Sequence, residues 1–330
     1  MFFHDIRKLL CNFYKIYSFS CSNQKNNVPL YPDMNRHLLH SIEWAVAILA
    51  YAYLAYKLAT YEHYDIVADS LRAMGLQQGI ALGLCIALMP VNMLLEAWRW
   101  RTLMAEGERR LSWREAQRHV YYSKLAGLIT PWRLGEYPAR ALLMEEGALP
   151  RVLSMGAVGS ATMTMAIVGL GAVALAFDSA LVAQLGGSYL YSLAVVVLIL
   201  AVALYFAPRW LVKWLKGEPT KAEWTGLLWR SLAQSVIRLL CWCVQLALVL
   251  YALKALELSD LALADCWMQM PVYYLLVTIT PNVPIAEVGV RGAWAMLLFG
   301  TVNAALAGVL LWLINTVLPC LVWPMIKKRV

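Results

Sequence analysis

Apolar runs of membrane-spanning length, separated by short charged loops, constrain this chain more than any other feature. Residues 41–59, 76–98, 152–177, 188–206, 227–252 and 302–324 each reach or approach the roughly 20 apolar residues that cross a bilayer as a helix. Composition agrees: 61% of the 330 residues are hydrophobic, 15% are charged and the mean hydropathy is +0.60. A soluble domain runs nearer half and a quarter. The expected fold class is all-α, a polytopic helical membrane protein whose core is lateral packing in lipid.

The charges sit between the runs and orient them. Segment 101–119 carries five arginines and segment 208–225 four basic residues, so both are expected on the cytoplasmic side. The acidic loop after residue 60 and the weakly acidic loop 254–265 are expected outside, and the terminal KKRV inside. The formal net charge of +8 is thereby read as topology and contact with anionic head groups, not as a nucleic-acid patch. Trp98 and Trp100 are expected as interfacial anchors. Residues 1–40, with their polar SNQKNN tract, are expected to be a cytoplasmic extension, and residues 1–33 read equally well as sequence upstream of a start at Met34. Residues 326–330 form a short basic tail.

Two apolar stretches are too short to span. Residues 120–130 break at Thr130-Pro131, and residues 268–280 break at Thr280-Pro281 before resuming at 292–300. Loop charges put both ends of the first stretch inside and both ends of the second outside. The arrangement expected is therefore six full spans plus two opposed re-entrant hairpins. Broken helices leave backbone groups that lipid cannot satisfy, so such breaks face protein or a water-filled cavity.

Ionisable residues at membrane depth are costly and mark partners or pathways. Arg238 lies about three turns into the span at 227–252, with Ser235 one turn before it and Gln245 two turns on, on one face. This polar stripe reads as a structural network or as a pathway to a head group. Glu96 shares a helix face with Asn92; it reads as the counter-charge of Arg238 or Arg133, or as an interfacial residue beside Trp98 and Arg99. After the breaks come Arg133, Glu136 and Arg140 in the first stretch, and Asn282, Glu287 and Arg291 in the second. Pro131, Gly135, Pro281, Pro284 and Gly289 supply the backbone breaks. Arginine's planar fork suits bidentate binding of phosphate. The expected head-group ligands are Arg133, Arg140, Arg238, Arg291, Gln245 and Asn282, with Glu96, Glu136 and Glu287 as their charge partners.

The run LITPWRLGEYPARALL, with TPNVPIAEVGVRG, the SVIR…Q helix and LLWLINTVLP, resembles the lysylphosphatidylglycerol synthase transmembrane region, or flippase-like, family of bacterial integral membrane proteins. The resemblance covers about residues 41–325. Pro131, Arg133, Gly135 and Glu136 fall on the family's P-x-R-x-G-E positions, with Arg140 trailing. The second motif departs: Ala286-Glu287 stands in place of glycines, and Gly292 occupies the position of the usual Glu. In bifunctional members the membrane part is associated with moving aminoacylated phosphatidylglycerol between leaflets, and a separate soluble domain makes that lipid. No such soluble domain is read in this chain.

Seven cysteines show no C-x-x-C spacing, and His4, His37, His40, His63 and His119 all lie outside the expected spans. No nucleotide-binding fingerprint or metal-ligand set is present, so no cofactor, metal or catalytic residue is expected. The expected function is binding and translocation of an anionic phospholipid or lipid-linked glycan across the bacterial cytoplasmic membrane, both termini inside. The alternatives are a non-catalytic partner of a separately encoded synthase or glycosyltransferase, docking through 101–119, or an intramembrane lipid transferase using Glu136 or Glu287 as base.

Overall fold

A computed structural model describes residues 74–105, 111–130, 133, 135–144, 149–177, 221–255, 263–280 and 287–327, with residues 69, 72, 182 and 183. Every regular element among them is helical. In chain order these are α1 (Leu76–Met104), α2 (Trp113–Ile129), α3 (Glu136–Ala141), α4 (Leu149–Phe177), α5 (Lys221–Ala252), α6 (Leu263–Ile279), α7 (Glu287–Phe299) and α8 (Val302–Trp312). A π-helical segment (Leu313–Val317) joins α8 to α9 (Leu318–Lys327). The extension 1–40, the spans expected at 41–59 and 188–206, and Pro131, Pro281, Asn282 and Pro284 lie outside the described residues.

Among the described residues, four helical stretches are long and apolar enough to cross a membrane: Leu76–Met104, Arg151–Phe177, Thr225–Ala252 and Val302–Pro324. They coincide with the spans expected at 76–98, 152–177, 227–252 and 302–324. α1 packs on α5, α2 and α4; α5 also packs on α4 and α8; α6 lies on α4, and α9 on α2. Buried small and apolar side chains such as Ala97, Cys85, Leu239 and Leu246 fill the α1–α5 seam, each fully or almost fully removed from the surface.

The basic segment 101–119 is not the open loop that was expected. Residues 101–104 complete α1, and α2 starts at Trp113 behind a capping box in which Ser112 and Glu115 satisfy each other's backbone N–H groups. Ala116, His119 and Val120 are buried, so this helix turns an apolar face inward, while Trp113 at its start is 46% exposed. Trp100 likewise is no interfacial anchor: it is 1% exposed, whereas Trp98 is 39% exposed.

Both helix breaks are closed by the same device. The Thr130 hydroxyl donates back to the Ala126 carbonyl (2.8 Å) and accepts the Gly135 N–H (2.9 Å), tying the end of α2 to the start of α3. The Thr280 hydroxyl donates to the Leu276 carbonyl (2.7 Å) and accepts the Trp294 indole N–H (2.9 Å), tying α6 to α7. Thr130 has extended backbone (φ −107°, ψ 139°), the conformation that a following proline enforces. A helix end freed in this way needs substitute partners, and the threonines provide them. Thr130→Val should cost about 1 kcal/mol and speed hydrogen exchange at the Gly135 amide; unchanged exchange there would remove the tie.

Candidate functional site

Glu96 sits on the buried face of α1, 3% exposed, and three guanidinium groups converge on it. Arg99, one turn on, reaches Oε2 at 2.6 Å; Arg238 from α5 reaches the same oxygen at 2.6 Å; Arg140 from α3 reaches Oε1 at 2.8 Å. All three arginines are at most 5% exposed. Glu96 is thus a counter-charge shared by Arg238, Arg140 and Arg99, while Arg133 is paired elsewhere. Charges this deep persist only when paired and hydrogen-bonded, and further donors of these arginines are engaged as well. Arg99 donates to the Gly159 carbonyl and the Ser235 hydroxyl, both at 3.0 Å, and Arg140 donates its Nε to Ser123 (3.1 Å). The Arg140 guanidinium also lies over the Trp100 ring, 4.6 Å from its centroid. Trp100 in turn donates to Nδ1 of His119 (3.3 Å). Burial, with Arg140 nearby, lowers the His119 pKa to about 4, which leaves the imidazole neutral and able to accept that bond.

From Arg238 a chain of amides runs away from the charges. Arg238 donates to Asn92 Oδ1 (2.8 Å), Asn92 donates to Asn315 Oδ1 (3.0 Å), and Asn315 donates to Gln245 Oε1 (3.0 Å). Gln245 ends the chain on the Cys85 carbonyl at 3.2 Å. Asn315 belongs to the π-helical segment, whose extra residue per turn aims Asn315 and Thr316 into the bundle.

A second set of charges gathers at the two breaks. Lys124 on α2 holds both oxygens of Glu136 (2.8 and 3.0 Å), and Arg140 stands 3.8 Å from the same carboxylate, linking it to the Glu96 group. Arg133 adopts left-handed backbone (φ 56°), a conformation that costs a non-glycine residue roughly 1 kcal/mol. From there its Nη2 reaches Glu287 (2.9 Å) and the Thr316 hydroxyl (3.0 Å). Arg291, one turn along α7, donates to the same Glu287 oxygen at 3.1 Å. The two broken-helix regions therefore touch through Arg133 and Glu287.

Glu287→Gln should destabilise the protein at neutral pH by about 3 kcal/mol, because it removes the counter-charge that Arg133 and Arg291 share. A variant that melts like the wild type would contradict the pairing.

Gly289 is described but has open space where a Cβ would lie, so no close approach requires glycine there. Gly135 does meet that requirement: a Cβ would come 2.9 Å from the Thr130 side chain and 3.0 Å from the Ala126 carbonyl. The sequence reading overlooked Arg99, Lys124, Asn315 and Thr316. Lys124 and the Asn315-Thr316 pair carried a usable signal, since each is polar within an apolar run. Arg99 carried little, because it follows Trp98 in what reads as an interfacial flank.

Between the Glu96 group and the two breaks lies a cavity of about 40 Å³. Lys124, Arg133, Arg238 and Arg291 line it, with Trp242 and Tyr274 along an apolar wall. Among the described residues no carboxylate lines it; Glu96, Glu136 and Glu287 pair with the cations from other sides. Among the described residues, six basic side chains (Arg99, Lys124, Arg133, Arg140, Arg238, Arg291) against three carboxylates give this cluster a formal charge of +3.

A multi-pass helical membrane protein with a buried, net-cationic polar cluster is the class that this fold and site define. The chain belongs to the family described as the lysylphosphatidylglycerol synthase TM region, which matches residues 42–323. Membership points to a lipid-related role in the membrane. No match is found among curated proteins.

Proposed function

We propose that the protein binds an anionic phospholipid or lipid-linked glycan by its phosphate and moves it across the bacterial cytoplasmic membrane. The observation that carries this reading is the cavity at the helix breaks, lined by four cations with their carboxylates turned away. Its volume corresponds to roughly three waters, close to what the oxygens of a phosphate group occupy. Arg133, Arg238 and Arg291, with Lys124, face the phosphate, while Arg140 and Gln245 support them through Glu96 and Asn315. The two breaks act as opposed re-entrant hairpins, and their contact through Arg133 and Glu287 closes the path between leaflets. Opening that single ion pair is the smallest motion that would join the cavity to either side.

The test uses Arg133→Gln, because Arg133 is the most exposed of the lining cations at 32% and Glu287 keeps Arg291. Lipids co-purified with the wild-type protein should be enriched in one anionic species, and Arg133→Gln should reduce that enrichment about tenfold, the worth of one charge-assisted bond. Proteoliposomes containing a labelled form of that lipid should show leaflet exchange only with wild type. An unselective lipid profile, identical in both proteins, would refute the reading.

A further inference from the structure

A second candidate site lies outside this cluster, on the surface between α1 and α5. There a groove of about 450 Å³ opens between the last turns of α1 and the first turns of the apolar part of α5. Arg101 and Arg230 supply its charge, one from each helix, and among the described residues no acidic side chain lines it. At its floor is Gln234, 5% exposed, whose Nε2 donates to Thr102 (2.8 Å) while its Oε1 is buried without a hydrogen-bond partner. An unpaired buried acceptor costs about 1–3 kcal/mol, so this carbonyl oxygen favours a ligand that brings a donor.

The groove continues into an apolar track. Trp98, Leu94 and Val91 are exposed at 39%, 42% and 41% on one face of α1, spaced as successive turns leading away from Arg101. Ile237, Leu240 and Val244 are exposed at 44%, 51% and 39% on α5, leading away from Arg230 in the same direction because the helices run antiparallel. Trp98 and Ile237 both line the groove, so the two stripes start side by side. Seven residues of helix give each stripe a length of about 10 Å, the upper half of an acyl chain.

We propose that this groove binds one phospholipid, its phosphodiester on Arg101 and Arg230, a hydroxyl or amine of its head group donating to Gln234 Oε1, and a tail along the α1–α5 seam. The density of arginines in segment 101–119 assigns the site to the cytoplasmic leaflet. The chemistry selects phosphatidylglycerol or phosphatidylethanolamine over phosphatidylcholine, whose trimethylammonium group has no N–H to donate. This assignment stands apart from the reading of the buried cavity, which shares none of these residues.

The test is photo-cross-linking of the full-length protein in nanodiscs containing phosphatidylglycerol with a diazirine near the top of one acyl chain, mapped by peptide mass spectrometry. Label is expected on residues 91–98 and 237–244. It should fall about tenfold in Arg230→Ala and in Gln234→Leu, and be restored in Arg230→Lys. A matching phosphatidylcholine probe should label these residues no more than other lipid-facing helices. Arg230 is exposed, so its variants report on the site with the fold intact. Equal labelling by both probes, or labelling indifferent to Arg230 and Gln234, would overturn the proposal. Arg133→Gln should leave this labelling unchanged, so failure of the buried-cavity reading and failure of this one are separable.

Discussion

Glu96→Ala should leave the protein unable to hold its fold in detergent, the largest effect expected of any single substitution. The carboxylate is shared by Arg99, Arg140 and Arg238, which come from three different helices. Removing one partner of a buried pair costs about 3–5 kcal/mol, because the charge left behind keeps its desolvation penalty. Here three guanidinium groups lose their common counter-charge at once, against a total stability that is usually only about 5–15 kcal/mol. The expected readout is a broad, aggregated peak in size-exclusion chromatography and no cooperative thermal transition. Removing one cation as well should recover part of the loss, so Glu96→Gln combined with Arg238→Met should fold better than Glu96→Gln alone. A monodisperse Glu96→Ala protein with wild-type melting would mean that these arginines reach water, and the cluster would not be a buried hub.

The second large effect comes from packing. Gly308 on α8 lies against α7 so closely that a Cβ would sit 2.6 Å from the carbonyl oxygen of Arg291 and 3.1 Å from its carbonyl carbon. The obstacle is backbone, so no side-chain rotation relieves it and the two helices must separate. Overpacking of this kind costs about 1–3 kcal/mol, and here it also displaces Arg291 and its ion pair with Glu287. Gly308→Ala should therefore lower the melting temperature and also weaken anionic-lipid enrichment. Gly292→Ala is the matched control on the same interface, since its Cβ would meet its nearest neighbour at an ordinary 3.5 Å. If both variants melted alike, α7 and α8 would not be held in close backbone contact at Gly308.

These expectations rest on contacts that were only partly legible in the chain. The apolar runs and the positive loops determine helices of spanning length, because lipid leaves the backbone no other way to satisfy its hydrogen bonds. Four such helices stand at 76–104, 151–177, 225–252 and 302–324. The breaks at Thr130-Pro131 and Thr280-Pro281 were also legible, since proline cannot continue the ladder. What closes them was not: each threonine reaches a group of the following element, Gly135 N–H in one case and the Trp294 indole in the other. Arg99 and Trp100 were misread for a related reason. A Trp-Arg-Trp flank reads as a membrane interface, and only the packing of α2, α4 and α5 on α1, with Arg140 over the Trp100 ring, buries it.

The sequence alone determined that this is a multi-pass helical membrane protein and which family it belongs to; it marked Arg238 as a charge inside an apolar helix, and left Glu96 either a counter-charge or an interfacial residue. Which charge meets which is a property of the tertiary structure. Partners 44 to 154 residues apart, such as Arg140 with Glu96 and Arg133 with Glu287, are brought together by helix packing and by a π-helical turn that no local pattern announces. A charge at depth must find an opposite charge, and hydropathy states that need for each helix separately. The choice of partner is made between helices, by close approach at positions such as Gly308 and by the left-handed turn at Arg133, and only the folded bundle contains those distances.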